Sequence, residues 1–344
     1  MTTAPTISPK QLARANELLA EGVSEGLYTH AAYALARGGQ ILAVQAFGAA
    51  RADTGFDLAS LTKPLAGAAC LLQLLEDGRV HLRQGVGGFF EDEFGPLPPL
   101  GGMEVRHLLT HTSGLPPVPR WPQGGEGADR KERLRHVLTT PTLRPPGAGY
   151  TYSDTGYILL GEITARVAGR PLEACFADGV AGPLGLTTLG FCPAGGDIAP
   201  TSADAPGTVH DPRARDLGGV AGHAGLFGTA GDVLAFAEAI RTGGGPVVSR
   251  ATAVRMAVSQ IPAAIGAQSW GWFCAGNDYL PSGDLFSDRA FGHSGFTGAA
   301  LLIDPAFEVS LVLLTNRVIN EAEDGARFLR HRRLWLNTVA AGLH

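Results

Sequence analysis

Leu12, Leu18, Leu19 and Val23 recur at helical spacing behind Ser8-Pro9, which predicts an N-capped amphipathic helix with proline at its first position. The apolar-rich segments 31–37 and 40–47 come next, joined by Gly38-Gly39, and predict a β-hairpin. The pattern returns near the other end, where apolar runs at 299–303 and 309–314 flank Asp304-Pro305 ahead of a helix expected over 322–340. Hairpins at both ends of the chain predict one antiparallel sheet flanked by helices.

Between them, Ser60 opens a run of Leu61, Leu65, Ala68, Leu71, Leu72 and Leu75 that stops at Asp77-Gly78, as a helix with a glycine stop would. Tyr157–Val167 also reads as helix. The Gly- and Pro-rich stretches 84–102, 112–127 and 193–222 are long connections, and loops of that length more often carry function than serve as linkers. There is no repeat and no low-complexity tract. The fold class is α/β (α+β), a single domain over 1–344. An α/β subdomain from 1–58 and 223–344 is expected to carry an inserted, mostly helical subdomain, 59–222.

Composition narrows the function classes. Hydrophobic residues make up 45% of the 344 and charged ones 17%, which excludes the signature of disorder. A net charge of -5 supplies no general basic field, so nucleic acid is not an expected partner. No run approaches the roughly 18 uninterrupted apolar residues of a membrane span, and the first ten residues lack the charged start and apolar run of a secretion signal. The chain therefore reads as cytoplasmic. Cys70, Cys175, Cys192 and Cys274 form no metal-ligand spacing and are expected to be buried, reduced thiols. The 27 basic residues include only three lysines, Lys10, Lys63 and Lys131. In so arginine-biased a chain, a retained lysine points to work that needs a proton given up, which arginine cannot do.

Lys63 has such a context. Ser60-Leu61-Thr62-Lys63 places a hydroxyl and an amine on one helical face at a helix start, where a neutral amine can take the serine proton and backbone N–H groups favour the anion formed on a carbonyl. The match alone is weak, since a solvated lysine on a first helical turn is common. Two further polar sets stand where separate elements can converge: Tyr152-Ser153-Asp154 before a helix, and His293-Ser294-Gly295 before the C-terminal hairpin.

In that order the three sets resemble the serine β-lactamase and penicillin-binding protein superfamily, in its class C β-lactamase, D-Ala-D-Ala carboxypeptidase and esterase branch. The segments 107–115 (HLLTHTSGL) and 218–227 (GGVAGHAGLF) are similar to that family too, and the resemblance covers roughly 25–320. It implies a β-lactamase/transpeptidase-like fold, Ser60 as nucleophile, Lys63 as base and Tyr152 in the proton relay to the leaving group. It also implies that His293, Ser294 and Gly295 line the wall, with the backbone N–H groups of Ser60 and Phe296 as oxyanion hole. Two departures matter. Asp154 stands where asparagine is usual, exchanging a donor for an acceptor. His293 stands where class C β-lactamases have lysine, so the fixed positive charge that greets a β-lactam carboxylate is missing or pH-dependent. The expected reaction is therefore hydrolysis of a small ester or amide, with a D-amino-acid peptide or β-lactam as alternative substrate, and with no cofactor and no metal.

Rival readings exist. Gly22-Val23-Ser24-Glu25-Gly26 matches a nucleophile elbow but follows a helical pattern, so a helix-ending turn is favoured. His107, His111, His210, Asp211 and His223 suggest a metal-dependent hydrolase, yet no Glu stands between His107 and His111 as a zincin's base would, and structural histidines are favoured. Glu91-Asp92-Glu93 reads as a solvated loop, and Trp121, Trp270, Trp272 and Tyr279 as core or cleft aromatics. A catalytically silent binding scaffold has no need of Lys63.

Overall fold

The computed structural model describes residues 6–121, 129–202, 204–320 and 325–343. Its main sheet has six antiparallel strands drawn from both chain ends: β1 (His30–Arg37), β2 (Gln40–Gly48), β6 (Phe273–Cys274), β7 (Phe291–Ser294), β8 (Ala300–Asp304) and β9 (Val309–Thr315), in the order β2-β1-β9-β8-β7-β6. A second sheet of three short strands, β3 (Phe56–Asp57), β4 (Gly190–Phe191) and β5 (Leu226–Gly228), ties the central segment to the ends. Both expected hairpins form. Gly38 and Gly39 take φ of 54° and 82°, the left-handed pair a two-residue turn requires.

Strand β1, second from the edge, is buried on both faces, and its alternation sorts the layers. Ala31, Tyr33 and Leu35 join the cluster of Leu18, Leu19, Trp335 and Val339 from the helices Pro9–Ser24 and Gly325–Ala341. Ala32, Ala34 and Ala36 belong to the larger core, where the helix Ala230–Arg241 lies against β1, β8 and β9. Small residues on that face let the helix sit close to the sheet. The described residues between 59 and 189 carry helices and loops without a strand and pack around the buried helix Asp154–Ala168, which Ser153 caps through Gly156 N–H at 3.1 Å and Gly169 ends at φ 72°.

Some local expectations change. Ser8 hydrogen-bonds Gln11 instead of capping the first helix with its side chain. The element begun at Ser60 is not one α-helix: a 3₁₀ turn Ala59–Leu61 leads into a wider i→i+5 turn over Lys63–Ala68, and the α-helix proper is Ala69–Glu76. Of the four free cysteines, Cys192 is exposed. The last helix is seen from Gly325, and the start expected at 322 lies outside the described residues, as does 122–127 of the second long loop. Ser24 is the last residue of its helix, bonding Glu21 O, so the elbow-like match is a helix end. Glu93 is not freely solvated, since Lys131 and Arg166 hold it at 2.9 and 2.6 Å. Among the described residues no helix is long and apolar enough to cross a membrane.

Candidate active site

Ser60 stands in the 3₁₀ turn that follows β3. Ala59 before it adopts φ 46°, a left-handed conformation costly for a side-chain-bearing residue, and its N–H is held by Asp57 Oδ1 at 2.8 Å. Asp57 Oδ2 accepts from His210 N at 2.7 Å. One buried carboxylate thus ties the Ser60 turn to the loop that carries His210 and Asp211. Burial pushes that carboxyl up to about 6, against the two backbone hydrogen bonds that favour its charge.

One turn on, Lys63 is wholly buried. Its Nζ lies 2.9 Å from Ser60 Oγ, 3.2 Å from the His223 carbonyl oxygen and 2.6 Å from Asp154 Oδ1. Three acceptors from three parts of the chain meet the amine, which is what burying a lysine demands. The His223 carbonyl reaches it because two glycines touch. A Cβ on Gly67 would stand 2.4 Å from Gly222 O, and one on Gly222 would stand 2.2 Å from Tyr157 O.

Tyr152 is set beside this pair by the loop after His107. His111 Nδ1 accepts from Ser153 N–H at 3.0 Å, Ser153 Oγ donates to Pro116 O at 2.7 Å, and Asp154 N–H donates to Pro117 O at 2.7 Å. The Tyr152 ring centroid lies 4.8 Å from Lys63 Nζ and 4.6 Å from the His111 ring. Burial and then the Asp154 charge hold its phenol well above the usual value, opposed by its hydrogen bond with the Ser60 side chain. A phenol so placed keeps its proton until something takes it, the state a general acid needs.

The structure brings Ser60, Lys63, Tyr152 and Asp154 together. At the end of β7 it places Ser294, Gly295 and Phe296 along the same cavity, of about 560 Å³. A Cβ on Gly295 would stand 2.7 Å from Leu58 O, so the strand runs close past the Ser60 turn only as glycine. His293, expected on the wall, is instead fully buried behind it, stacked on Phe273 at 4.1 Å with Nδ1–H donating to the Ser294 carbonyl at 2.9 Å. Burial and then Lys63 hold its imidazole well below the usual value.

The histidines weighed as metal ligands have other partners. His107 Nδ1 accepts from Glu104 N–H in a capping box, His111 holds Ser153, and His223 Nε2 meets Asp211 Oδ1 at 2.9 Å. Burial works against the Asp211 charge, but the His223 ring and the Ala214 amide outweigh it and hold the carboxyl below its usual range. Asp211 and His223 line the Ser60 cavity, and so do Arg317 and Arg332. No motif marks these arginines in the sequence. Tyr279 lines the cavity, whereas Trp121, Trp270 and Trp272 are buried elsewhere.

An antiparallel sheet flanked by helices, with a serine lining the cavity beside it and a buried lysine behind that serine, is the arrangement of a β-lactamase-type serine hydrolase. The Beta-lactamase family model matches residues 15–334, and the chain belongs to that family. Proteins of Escherichia coli O157:H7 and strain K12, each named "Putative D-alanyl-D-alanine carboxypeptidase", are 31% identical to it over 308 residues, covering 78% of this chain and 70% of theirs. Among solved structures, EstCE1, a hydrolase with promiscuous acyltransferase activity, superposes with a TM-score of 0.75 at 24% identity over 95% of this chain and 98% of its own. The octameric penicillin-binding protein homologue of Pyrococcus abyssi gives 0.75 at 20% identity, over 96% and 79%. These two likenesses show the fold.

Proposed function

We propose that the chain hydrolyses a small ester or amide through an acyl-enzyme on Ser60. The observation that carries this is the wholly buried Lys63 amine 2.9 Å from the Oγ of Ser60, which lines an open cavity. Once Lys63 has given up its own proton, Ser60 Oγ attacks the substrate carbonyl carbon as its proton passes to the free Lys63 amine, and the backbone N–H groups of Ser60 and Phe296 receive the oxyanion. Tyr152, replenished from Lys63, gives a proton to the leaving group as the carbon–heteroatom bond breaks. Water then attacks the acyl-enzyme along the same relay and releases Ser60.

A second reading, cleavage of a D-amino-acid peptide, is favoured by the name its curated relatives carry. β-Lactam turnover is less well supported, because the buried, neutral His293 offers no fixed charge on the β7 wall. The test is a fluorophosphonate probe on wild type and Ser60→Ala, followed by parallel rates on p-nitrophenyl esters, nitrocefin and a D-Ala-D-Ala peptide. Loss of labelling in the alanine variant is expected; labelling that survives overturns the assignment.

A further inference from the structure

A second cavity, of about 680 Å³, shares no lining residue with the one at Ser60. Three arginines reach it from separate parts of the chain: Arg83 from the loop ahead of 84–102, Arg106 from the short helix Val105–Leu109, and Arg255 from the last turn of the helix Arg250–Met256. Glu104 is the one carboxylate among the described lining residues, and Arg106 Nε donates to it. No other described carboxylate comes within ion-pair distance of these arginines. Three guanidinium groups against one carboxylate leave two positive charges uncompensated.

His107 adds a donor. It is 7% exposed, and its Nδ1 accepts from Glu104 N–H at 3.1 Å, so the proton of the neutral ring sits on Nε2. That nitrogen has no hydrogen-bond partner among the described residues. Gly147, at φ 82°, leaves it open, since a Cβ there would stand 3.6 Å away. An enclosed N–H without an acceptor is costly, and an anion seated among the guanidinium groups would supply one. A phosphate monoester dianion matches the two free charges and offers acceptors in several directions, whereas a carboxylate brings one charge in one plane. Trp270, whose ring lies 5.5 Å from the Arg255 guanidinium, lines the cavity with Ile261 and Ile265 and gives an organic group an apolar wall.

We propose that this cavity binds a phosphate monoester, its phosphoryl group held by Arg83, Arg255 and His107 Nε2 and its organic group laid against Trp270. Thr110 and Thr112 also line the cavity, and His111 between them turns inward to hold Ser153 N–H. The ligand therefore sits behind the loop that sets Tyr152, apart from the substrate.

The test is calorimetric titration of the full chain with phenyl phosphate and with benzoate, in a phosphate-free buffer at pH 8, where phenyl phosphate is a dianion. Saturable binding of phenyl phosphate is expected, about tenfold or more tighter than that of benzoate. Arg83→Gln and Arg255→Gln should each weaken it about tenfold. Arg332→Met, which removes a cation from the Ser60 cavity, should leave it unchanged. Urea midpoints report that each variant is folded. No saturable binding, equal affinity for benzoate, or wild-type affinity in both glutamine variants overturns the site. Binding lost in Arg332→Met overturns it too, by placing the ester beside Ser60.

Discussion

Lys63 and Asp154 meet at 2.6 Å, the lysine wholly buried and the aspartate side chain 19% exposed. The acceptor that replaces the usual asparagine thus lies against the one fully buried lysine. Taking it away leaves the amine with Ser60 Oγ and the His223 carbonyl alone. Asp154→Ala is expected to cost about 2 kcal/mol, below the range for a fully enclosed pair because the carboxylate is partly solvated. Asp154→Asn, which keeps an oxygen acceptor, should lose about half as much. Urea unfolding at constant m-value checks this, and equal midpoints for wild type and Asp154→Ala would contradict it.

Lys63→Arg separates charge from basicity. Arginine keeps a cation near Asp154 but gives up no proton, so kcat/KM for an activated ester should fall about as far as in Lys63→Ala, by a factor of about 100 or more. The comparison also needs unfolding curves, because guanidinium is bulkier in a site with no free surface. A folded arginine variant with near-normal turnover would remove Lys63 from the base role.

The hairpins were legible because alternation, glycine pairs and Asp-Pro turns are local signals. The Ser60–Lys63 pair was legible because its spacing is one helical turn. His293 was misplaced for a physical reason: the sequence gives its strand but not its face, and alternation along β7 turns its ring into the core and leaves Ser294 outside. The 3₁₀ turn at 59–61 opens on Ala59, whose N–H is held by Asp57 Oδ1 in a local Asx-type contact, but nothing in the residues announces the left-handed φ of an alanine. Arg317 and Arg332 were illegible as well, since arginine is common in this chain and the cavity they line with Ser60 is built by elements far apart in sequence.

The pH dependence of stability follows from opposing shifts. His111 and His293 are both held well below the ordinary value of 6.5, by burial first and then by Lys63. The unfolded chain therefore binds protons that the folded one refuses, and stability falls as pH drops below about 6.5. Asp57 works the other way. Raised from 3.8 to about 6, it binds a proton in the folded state first and gains stability as pH falls through that range. Two imidazoles against one carboxyl leave a net loss of about one proton, or roughly 1.4 kcal/mol per pH unit, between about pH 6 and 5. His30, His107 and His331, also lowered, add to the loss. Chemical denaturation at pH 7.5, 6 and 5 reads the slope, and stability that is flat or rises toward pH 5 would refute it.

Ala59 offers the sharpest test of how the nucleophile is held. Its φ of 46° costs an L-residue about 1 kcal/mol, which Ala59→Gly relieves while losing a buried methyl worth about 0.8 kcal/mol and adding freedom to the unfolded chain. Glycine should thus be near neutral in stability. Valine puts a branched Cβ into the same conformation, and a Cβ on Gly295 would already lie 3.3 Å from that of Ala59. Ala59→Val is expected to cost about 2 kcal/mol or more and to slow fluorophosphonate labelling of Ser60 about tenfold or more, because the turn moves and carries the hydroxyl with it. Labelling at the wild-type rate in a folded valine variant would mean that the Asp57–Ala59 bond does not set the position of Ser60.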